Sequence, residues 1–453
     1  MKALNPRQHS AVRYLDGPLL VLAGAGSGKT RVLIHRLAWL IQVEHVSPLS
    51  IMAVTFTNKA AGEMRQRAQD LLQVSARSMW IGTFHGIAHR LLRMHWEEAG
   101  LQENFQILDS DDQQRIIRRL IKEEGLDEAQ WPARQAQWYI NARKDEGQRP
   151  ATIEHMGNPM TAQWVRIYEI YQAYCDRAGL VDFAELLLRA HELWLNNPLL
   201  LEHYRKRLTH LLVDEFQDTS NQQFKLLKKL MRGWHEHNVT GAPPRTAFIV
   251  GDGMQSIYGF RYADVGLFLQ AKARGIGGLP LESLELTQNF RSQAGVVDWV
   301  NRVFAQVFPK VNDAERSEVS HTSAVPVNAA LPGNAVEAHL FPDDAGLAEA
   351  NWIAGKIGHI YQSEPDATIA VLIRARSHAA PIIAALQQHD LPFLGRDLEK
   401  IQHSASVMDL LSLCRWLSNP ADEVAALALL RAPFCGLLLS EIYALLEDQP
   451  RPL

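Results

Sequence analysis

An apolar run, Leu19-Leu20-Val21-Leu22, passes directly into Ala23-Gly24-Ala25-Gly26-Ser27-Gly28-Lys29-Thr30, and an amphipathic pattern from Arg31 to Ile41 follows. Strand, glycine-rich turn and helix in that order constrain this chain more than any other stretch, because together they build a phosphate-binding loop. Glycines let backbone N–H groups converge on phosphate oxygens, where side chains would block the approach. The helix N-terminus adds partial positive charge at the same place. In such a loop Lys29 reaches the β- and γ-phosphates and the Thr30 hydroxyl holds Mg²⁺. The predicted nucleotide contacts therefore run from Ala23 through Arg31, with Ala23 standing where the pattern has its first glycine. An ordinary glycine-rich βα turn is the alternative until partner motifs are found.

At 453 residues the chain is too long for one compact core and predicts roughly two to four domains. Its three cysteines, Cys175, Cys414 and Cys435, lack metal-ligand spacing, so no disulfide framework and no structural metal are expected. With no bilayer-length apolar run and no signal-like N-terminus, the expected location is cytoplasmic, without a membrane partner. A net charge of −4 does not advertise nucleic acid, but a local basic groove is what such binding needs.

Strand-like runs alternate with helical patterns, which predicts a doubly wound parallel sheet. Ile51 to Phe56 leads into Thr57-Asn58-Lys59-Ala60-Ala61, and Met79 to Gly82 leads into Thr83-Phe84-His85. From His89 to about Leu208 helical patterns dominate, for instance 112–123 and 161–177, as expected for an insertion. Within it, Trp131 to Tyr139 and Lys144 to Gly147 are candidate strand-binding surface, with a solvated helix face as the alternative. The sheet resumes at Leu211-Leu212-Val213-Asp214-Glu215-Phe216-Gln217-Asp218. An acidic pair at a strand end supplies the second half of a nucleotidase: Asp214 for the Mg²⁺ shell, Glu215 to orient and deprotonate water. Thr246 to Val250 then enters Gly251-Asp252-Gly253-Met254-Gln255-Ser256-Ile257-Tyr258-Gly259-Phe260-Arg261, and Leu286-Thr287-Gln288-Asn289-Phe290-Arg291-Ser292 follows.

Taken in this order, and with Gln8 near the N-terminus, these segments resemble the superfamily 1 DNA helicases of the UvrD/Rep/PcrA group. Up to about residue 230 the wording is UvrD-like. After about 245 it shifts: Gly253-Met254 replaces acidic or small polar residues, Phe260 a tryptophan and Phe290 a tyrosine, and 296–301 resembles the RecB/AddA helicase subunits. The resemblance implies a P-loop, RecA-like motor domain in two parts, 1–88 and 209–278, around a helical insertion at 89–208. It further implies a partial second RecA-like domain at 279–396, with strands at 336–341 and 368–373, and the start of a second insertion at 397–453. Two later motifs of the family are absent, so the chain is expected to be C-terminally incomplete and impaired in turnover.

By resemblance the activity is an ATP-dependent 3′–5′ DNA helicase and single-strand translocase in repair or recombination, with ATP and Mg²⁺. Lys29 and Thr30 hold phosphates, Thr30 and Asp214 the metal, and Gln255 senses the γ-phosphate. Arg291 arrives from the second domain as an arginine finger, Phe290 stacks on adenine, and Gln8 reads the adenine edge. Single-stranded DNA and duplex junctions would meet Phe56, Thr57, Asn58, Thr83, His85, Tyr258, Phe260 and Arg261, since ring stacking tolerates any base. Repair or recombination proteins are the expected partners. Two other readings stay open: the helicase part of a helicase–nuclease, and a nonmotor ATP- and DNA-binding module.

Overall fold

The computed structural model describes residues 4–447 except 73–78, 155–156, 241, 343–344, 396–404 and 421, together with the side chains of these residues other than 261, 423, 446 and 447. By internal contacts the chain forms two compact units, Met1–Val336 and Glu337–Leu453.

The first unit begins with helix α1 (Pro6–Arg13), whose N-cap Asn5 and Gln8 form a reciprocal capping box. Strand β1 (Leu19–Ala23) and helix α2 (Lys29–Gln42) flank the glycine-rich loop. Then come β2 (Ile51–Thr55), α3 (Asn58–Leu72), β3 (Trp80–Thr83) and α4 (Phe84–Met94). The interposed segment carries β4 (Gln106–Ile107), α5 (Ser110–Glu123), α6 (Ala133–Glu146), α7 (Pro159–Ala178), β5 (Leu180–Val181), α8 (Phe183–Asn196) and α9 (Pro198–Arg207). It has a core of its own, including Ile117, Ile140, Tyr168 and Tyr171. The main sheet resumes with β6 (His210–Val213), α10 (Asn221–Met231), α11 (Trp234–Asn238), β7 (Thr246–Gly251), α12 (Val265–Arg274) and β8 (Glu282–Leu286). Strand β9 (Gln288–Gln293), α13 (Ala294–Val307) and β10 (Val325–Asn328) complete the unit.

The six main strands lie in the order β3-β2-β6-β7-β1-β8, all parallel. Strands β2, β6 and β7 are buried throughout, as continuous apolar runs covered by helices on both faces must be. Edge strand β8 exposes Glu282, Ser283 and Glu285, the charged finish that keeps an open edge from pairing with another chain. This strand pairs into the first sheet, and β9 and β10 form a separate two-stranded sheet in the same unit, so residues 279–336, expected in a second domain, pack in the first unit.

In the second unit α14 (Gly346–Ser363) and α15 (Ala379–Gln388) pack through Ala350, Ala354, Ile357, Ala385 and Leu386. Helices α16 (Ala405–Ser418), α17 (Glu423–Arg431) and α18 (Leu439–Glu447) follow. The strands expected at 336–341 and 368–373 are not formed. A strand needs a neighbour to satisfy its backbone, and among the described residues neither run has one; Leu340 and Leu372 are 98% and 93% exposed.

Candidate nucleotide and nucleic-acid site

Parallel pairing brings the carboxyl ends of β1, β2, β3, β6 and β7 to one edge of the sheet, where ligands of doubly wound folds collect. At the end of β1, Gly26 and Gly28 take positive φ of +71° and +85°, and Gly28 caps α2, so Lys29 is the first residue of that helix. A side chain at Gly26 would also strike the Asn289 carboxamide and Arg291 Cβ. The Ser27 hydroxyl donates to the Gly24 carbonyl at 2.7 Å, closing the turn. Backbone N–H groups are thereby left facing outward at a helix N-terminus, a ready anion site.

Opposite the loop stands the acidic pair. The Thr30 hydroxyl donates to Asp214 Oδ2 at 3.3 Å, and Lys29 Nζ lies 3.9 Å from Glu215 Oε2. Burial, and then the neighbouring Glu215 charge, push the Asp214 carboxyl up to about 6, against the pull of Lys29 and Thr30. Two hard oxygens from Thr30 and Asp214 fit Mg²⁺, which keeps most of its shell for water and phosphate. Glu215 itself sits at φ +50°, a left-handed conformation that costs a non-glycine residue about 1–3 kcal/mol. Strain of that kind persists where the surroundings fix it, and here Gln217 Nε2 donates to Glu215 Oε2 at 2.6 Å.

Four expected contacts, Gln8, Gln255, Phe290 and Arg291, are placed differently from a simple open site. Gln8 is 1% exposed; its Nε2 donates to the Ser27 carbonyl at 2.8 Å and its Oε1 accepts from Asn5 N–H, so its amide is occupied at both ends. The Gln255 amide donates to Asp252 Oδ2 at 2.5 Å. Arg291 and Phe290 come from the first unit: Phe290 N–H donates to the Gly26 carbonyl at 2.9 Å, and Asn289 Oδ1 accepts from the N–H groups of Arg291 and Ser292. Both side chains are exposed beside the loop, as is Arg31 one turn into α2.

At the ends of β2 and β7 three rings meet. Phe56 and Tyr258 stack with centroids 5.0 Å apart, and Tyr258 lies 5.8 Å from Phe260. Phe260 is 76% exposed, which no folding requirement explains. Around the rings, Asn58 is exposed and His85 packs edge-on against Phe183 at 5.9 Å. The Thr57 and Thr83 hydroxyls serve as helix caps, accepting from Ala60 and Gly86 N–H. The Arg261 side chain lies outside the described residues.

Sequence reasoning passed over Asn289, Gln217 and Asp252; each lay inside a motif, but only the fold shows what it bonds. Within Lys144 to Gly147, Glu146 and Gly147 are exposed, but Lys144 is not on the surface. Lys144 is fully buried, bonded to Asp182 at 2.7 Å and Glu185 at 3.0 Å, so it is no strand-binding residue. The end of α6 is a packing joint: Ser220 Oγ donates to Asp145, Gln222 to the Lys144 carbonyl and Lys225 to the Glu146 carbonyl. The unusual Gly253-Met254 pair has a local reason too. Val319 comes within 3.1 Å of where a Gly253 Cβ would stand, and the Met254 sulfur accepts from Thr322 N–H at 3.2 Å.

Among the described residues no group of three or more His, Cys, Asp or Glu side chains is placed to hold a metal ion, and no helix is long and apolar enough to cross a membrane. Residues 4–274 match the UvrD/REP helicase N-terminal domain, and residues 284–448 match the UvrD-like helicase C-terminal domain. DNA helicase II of Escherichia coli K12 is 43% identical over 440 residues, which are 96% of this chain and 57% of that protein. DNA helicase II of Haemophilus influenzae is 41% identical over 442 residues, again 96% of this chain and 57% of the relative. The ATP-dependent DNA helicase PcrA of Bacillus subtilis is 32% identical over 441 residues, 96% of this chain and 56% of the relative. The chain thus spans somewhat over half the length of these relatives.

Proposed function

The chain belongs to the UvrD/REP helicase family, and from that premise we propose that it is the ATP-binding and DNA-binding part of a 3′–5′ DNA helicase and single-strand translocase of repair or recombination, working in the cytoplasm. One observation carries the reading: phosphate loop, acidic pair and ring ladder share one edge of one parallel sheet.

The backbone N–H groups of 24–30 and the Lys29 ammonium cradle the phosphates of ATP. Thr30 and Asp214 would hold Mg²⁺, which would supply charge neutralisation for those phosphates. Glu215 orients the attacking water and accepts its proton. Arg291, standing over Gly26, offers a planar charge to the γ-phosphate oxygens. Phe290, exposed beside the loop, offers a face to adenine. For Gln8 to read the adenine edge, its bonds to Ser27 and Asn5 must be exchanged for bonds to the base. Phe56, Tyr258 and Phe260 take the bases of the strand, and stacking makes the hold indifferent to sequence. Thr57, Asn58, Thr83 and His85 border this track and supply contacts to the sugar–phosphate backbone or base edges.

Equilibrium titration tests the reading. A fluorescent ATP analogue should bind in the presence of Mg²⁺ and lose most of its affinity in Lys29→Ala. A labelled single-stranded oligonucleotide should bind with little sequence preference and steep salt dependence. Failure of the wild-type chain to bind either ligand overturns the assignment.

A further inference from the structure

Between the acidic pair and the ring ladder lies one buried side chain whose two polar ends are both in use. Gln217 is 1% exposed. Its Nε2 donates to Glu215 Oε2 at 2.6 Å and to Asp218 Oδ2 at 3.3 Å, while its Oε1 accepts from Asp252 N–H at 2.9 Å. Asp252 in turn holds Gln255 through Oδ2 and Met254 N–H through Oδ1. The main chain joins the same network: Ser256 Oγ donates to the Gln217 carbonyl, and Ile257 N–H donates to Asp218 Oδ1 at 3.3 Å. The next residue is Tyr258, the middle ring of the ladder. Glycine at 251 is part of the arrangement, since a Cβ there would stand 2.9 Å from Gln217 Oε1.

We propose that Gln217 is the positioning residue that couples the two ligands of this site: its carboxamide fixes Glu215 on the nucleotide side and the 252–258 loop on the strand side. An amide suits the task because it donates at one end and accepts at the other, so a shift of either partner is felt by the other. A carboxylate in its place loses the donor to Glu215, and an apolar side chain loses both bonds. The left-handed φ of Glu215 is a conformation its surroundings must hold, and the Gln217 bond is one of the contacts that hold it. Coupling between two sites is reciprocal in binding free energy, so it is measurable without turnover.

This inference rests on the function proposed above, and one experiment separates the two. The Kd of a fluorescent, nonhydrolysable Mg–ATP analogue is measured with and without saturating single-stranded oligonucleotide, in the wild type, Gln217→Met, Gln217→Glu and Ser256→Ala. The wild type should show a coupling factor within the usual range of about 5- to 150-fold. Both Gln217 variants should bring the factor close to one. Ser256→Ala, which removes only a bond to the Gln217 main chain, should retain it. Thermal melts accompany each titration; if Gln217→Met leaves Asp252 N–H unpaired and does not fold, Gln217→Glu, which keeps that acceptor, decides. Wild-type coupling in a Gln217 variant that folds overturns the inference, as does equal loss in Ser256→Ala, which would mean general loosening of the loop. Absence of ligand binding by the wild type overturns the functional reading itself, and the relay with it.

Discussion

Replacing Phe260 by alanine isolates strand binding from folding. The ring is 76% exposed and lies at the outer end of the ladder, 5.8 Å from Tyr258 and beyond the Phe56–Tyr258 stack. Only about a quarter of its surface is shielded, so its loss removes at most a fraction of the roughly 1.5–3 kcal/mol that full burial of such a ring contributes. The folded state should lose less than about 0.7 kcal/mol. Binding is different, because a base laid on the ring covers the face now open to water. Stacking of one base on one aromatic side chain contributes about 1–3 kcal/mol, which is roughly a 5- to 150-fold change in Kd. Fluorescence anisotropy with labelled single strands at fixed salt should show that loss for mixed and homopolymeric sequences alike. Phe260→Trp should restore or raise affinity, since the larger ring keeps the face. In Tyr258→Ala the loss should be at least as large, and the double variant should lose less than the sum, because the rings touch and are not independent. Unchanged affinity in Phe260→Ala, with an unchanged melt, would refute the stacking role.

Whatever strand-stimulated phosphate release the chain retains should fall about 10²–10⁴-fold in Glu215→Gln, as expected for loss of a general base, while nucleotide affinity is kept; unaltered release would remove Glu215 from that role. Lys144→Met should destabilise the helical segment by about 3–5 kcal/mol, because it leaves Asp182 and Glu185 in a buried cluster with one cation too few. Against the cost of burial, Lys144, Arg149 and Arg189 now hold Glu185 well below the usual carboxylate range; a melt within 1–2 °C of wild type, roughly 0.5 kcal/mol for a unit of this size, would contradict this. Burial raises the Asp145 carboxyl to about 6 from 3.8, against the Ser220 and Lys225 contacts. A folded pKa above the unfolded one favours the protonated form, so this group's contribution is fully present below pH 3.8 and is lost as pH rises through 6. Asp145→Asn should therefore be more stable than wild type at about pH 7, on the order of 1–3 kcal/mol, and chemical denaturation should show the gap closing on acidification. A gap independent of pH would assign the effect to something other than this carboxyl.

What the sequence determined by itself was the local chemistry. An apolar strand followed by closely spaced glycines, lysine and threonine has few uses other than a phosphate loop, and its register makes Lys29 and Thr30 the residues proposed to face the ligand. Asp214-Glu215 after a buried strand was readable as a candidate only together with that loop, since an acidic strand end alone can simply be hydrated. Periodicity also gave the helices, since the stripe on α5 and α7 repeats over several turns. Pairing was beyond it. The runs at 336–341 and 368–373 have strand-like composition, yet a ladder requires a partner and the fold of the described residues supplies none. Strand β8 was not singled out in the sequence, but hydrogen bonding to β1 places it, and the Asn289–Arg291 segment after it, against the phosphate loop. Lys144 looked solvent-facing because charge in a helix usually is; only the approach of α8 buries it between Asp182 and Glu185. Gln217 and Asp252 lie 35 residues apart in the chain, and their hydrogen bond exists because β6 and β7 are neighbours in the sheet. Residue types and spacing specify what each side chain can do. Which of them meet is decided by strand order, a long-range outcome of burying two apolar faces at once.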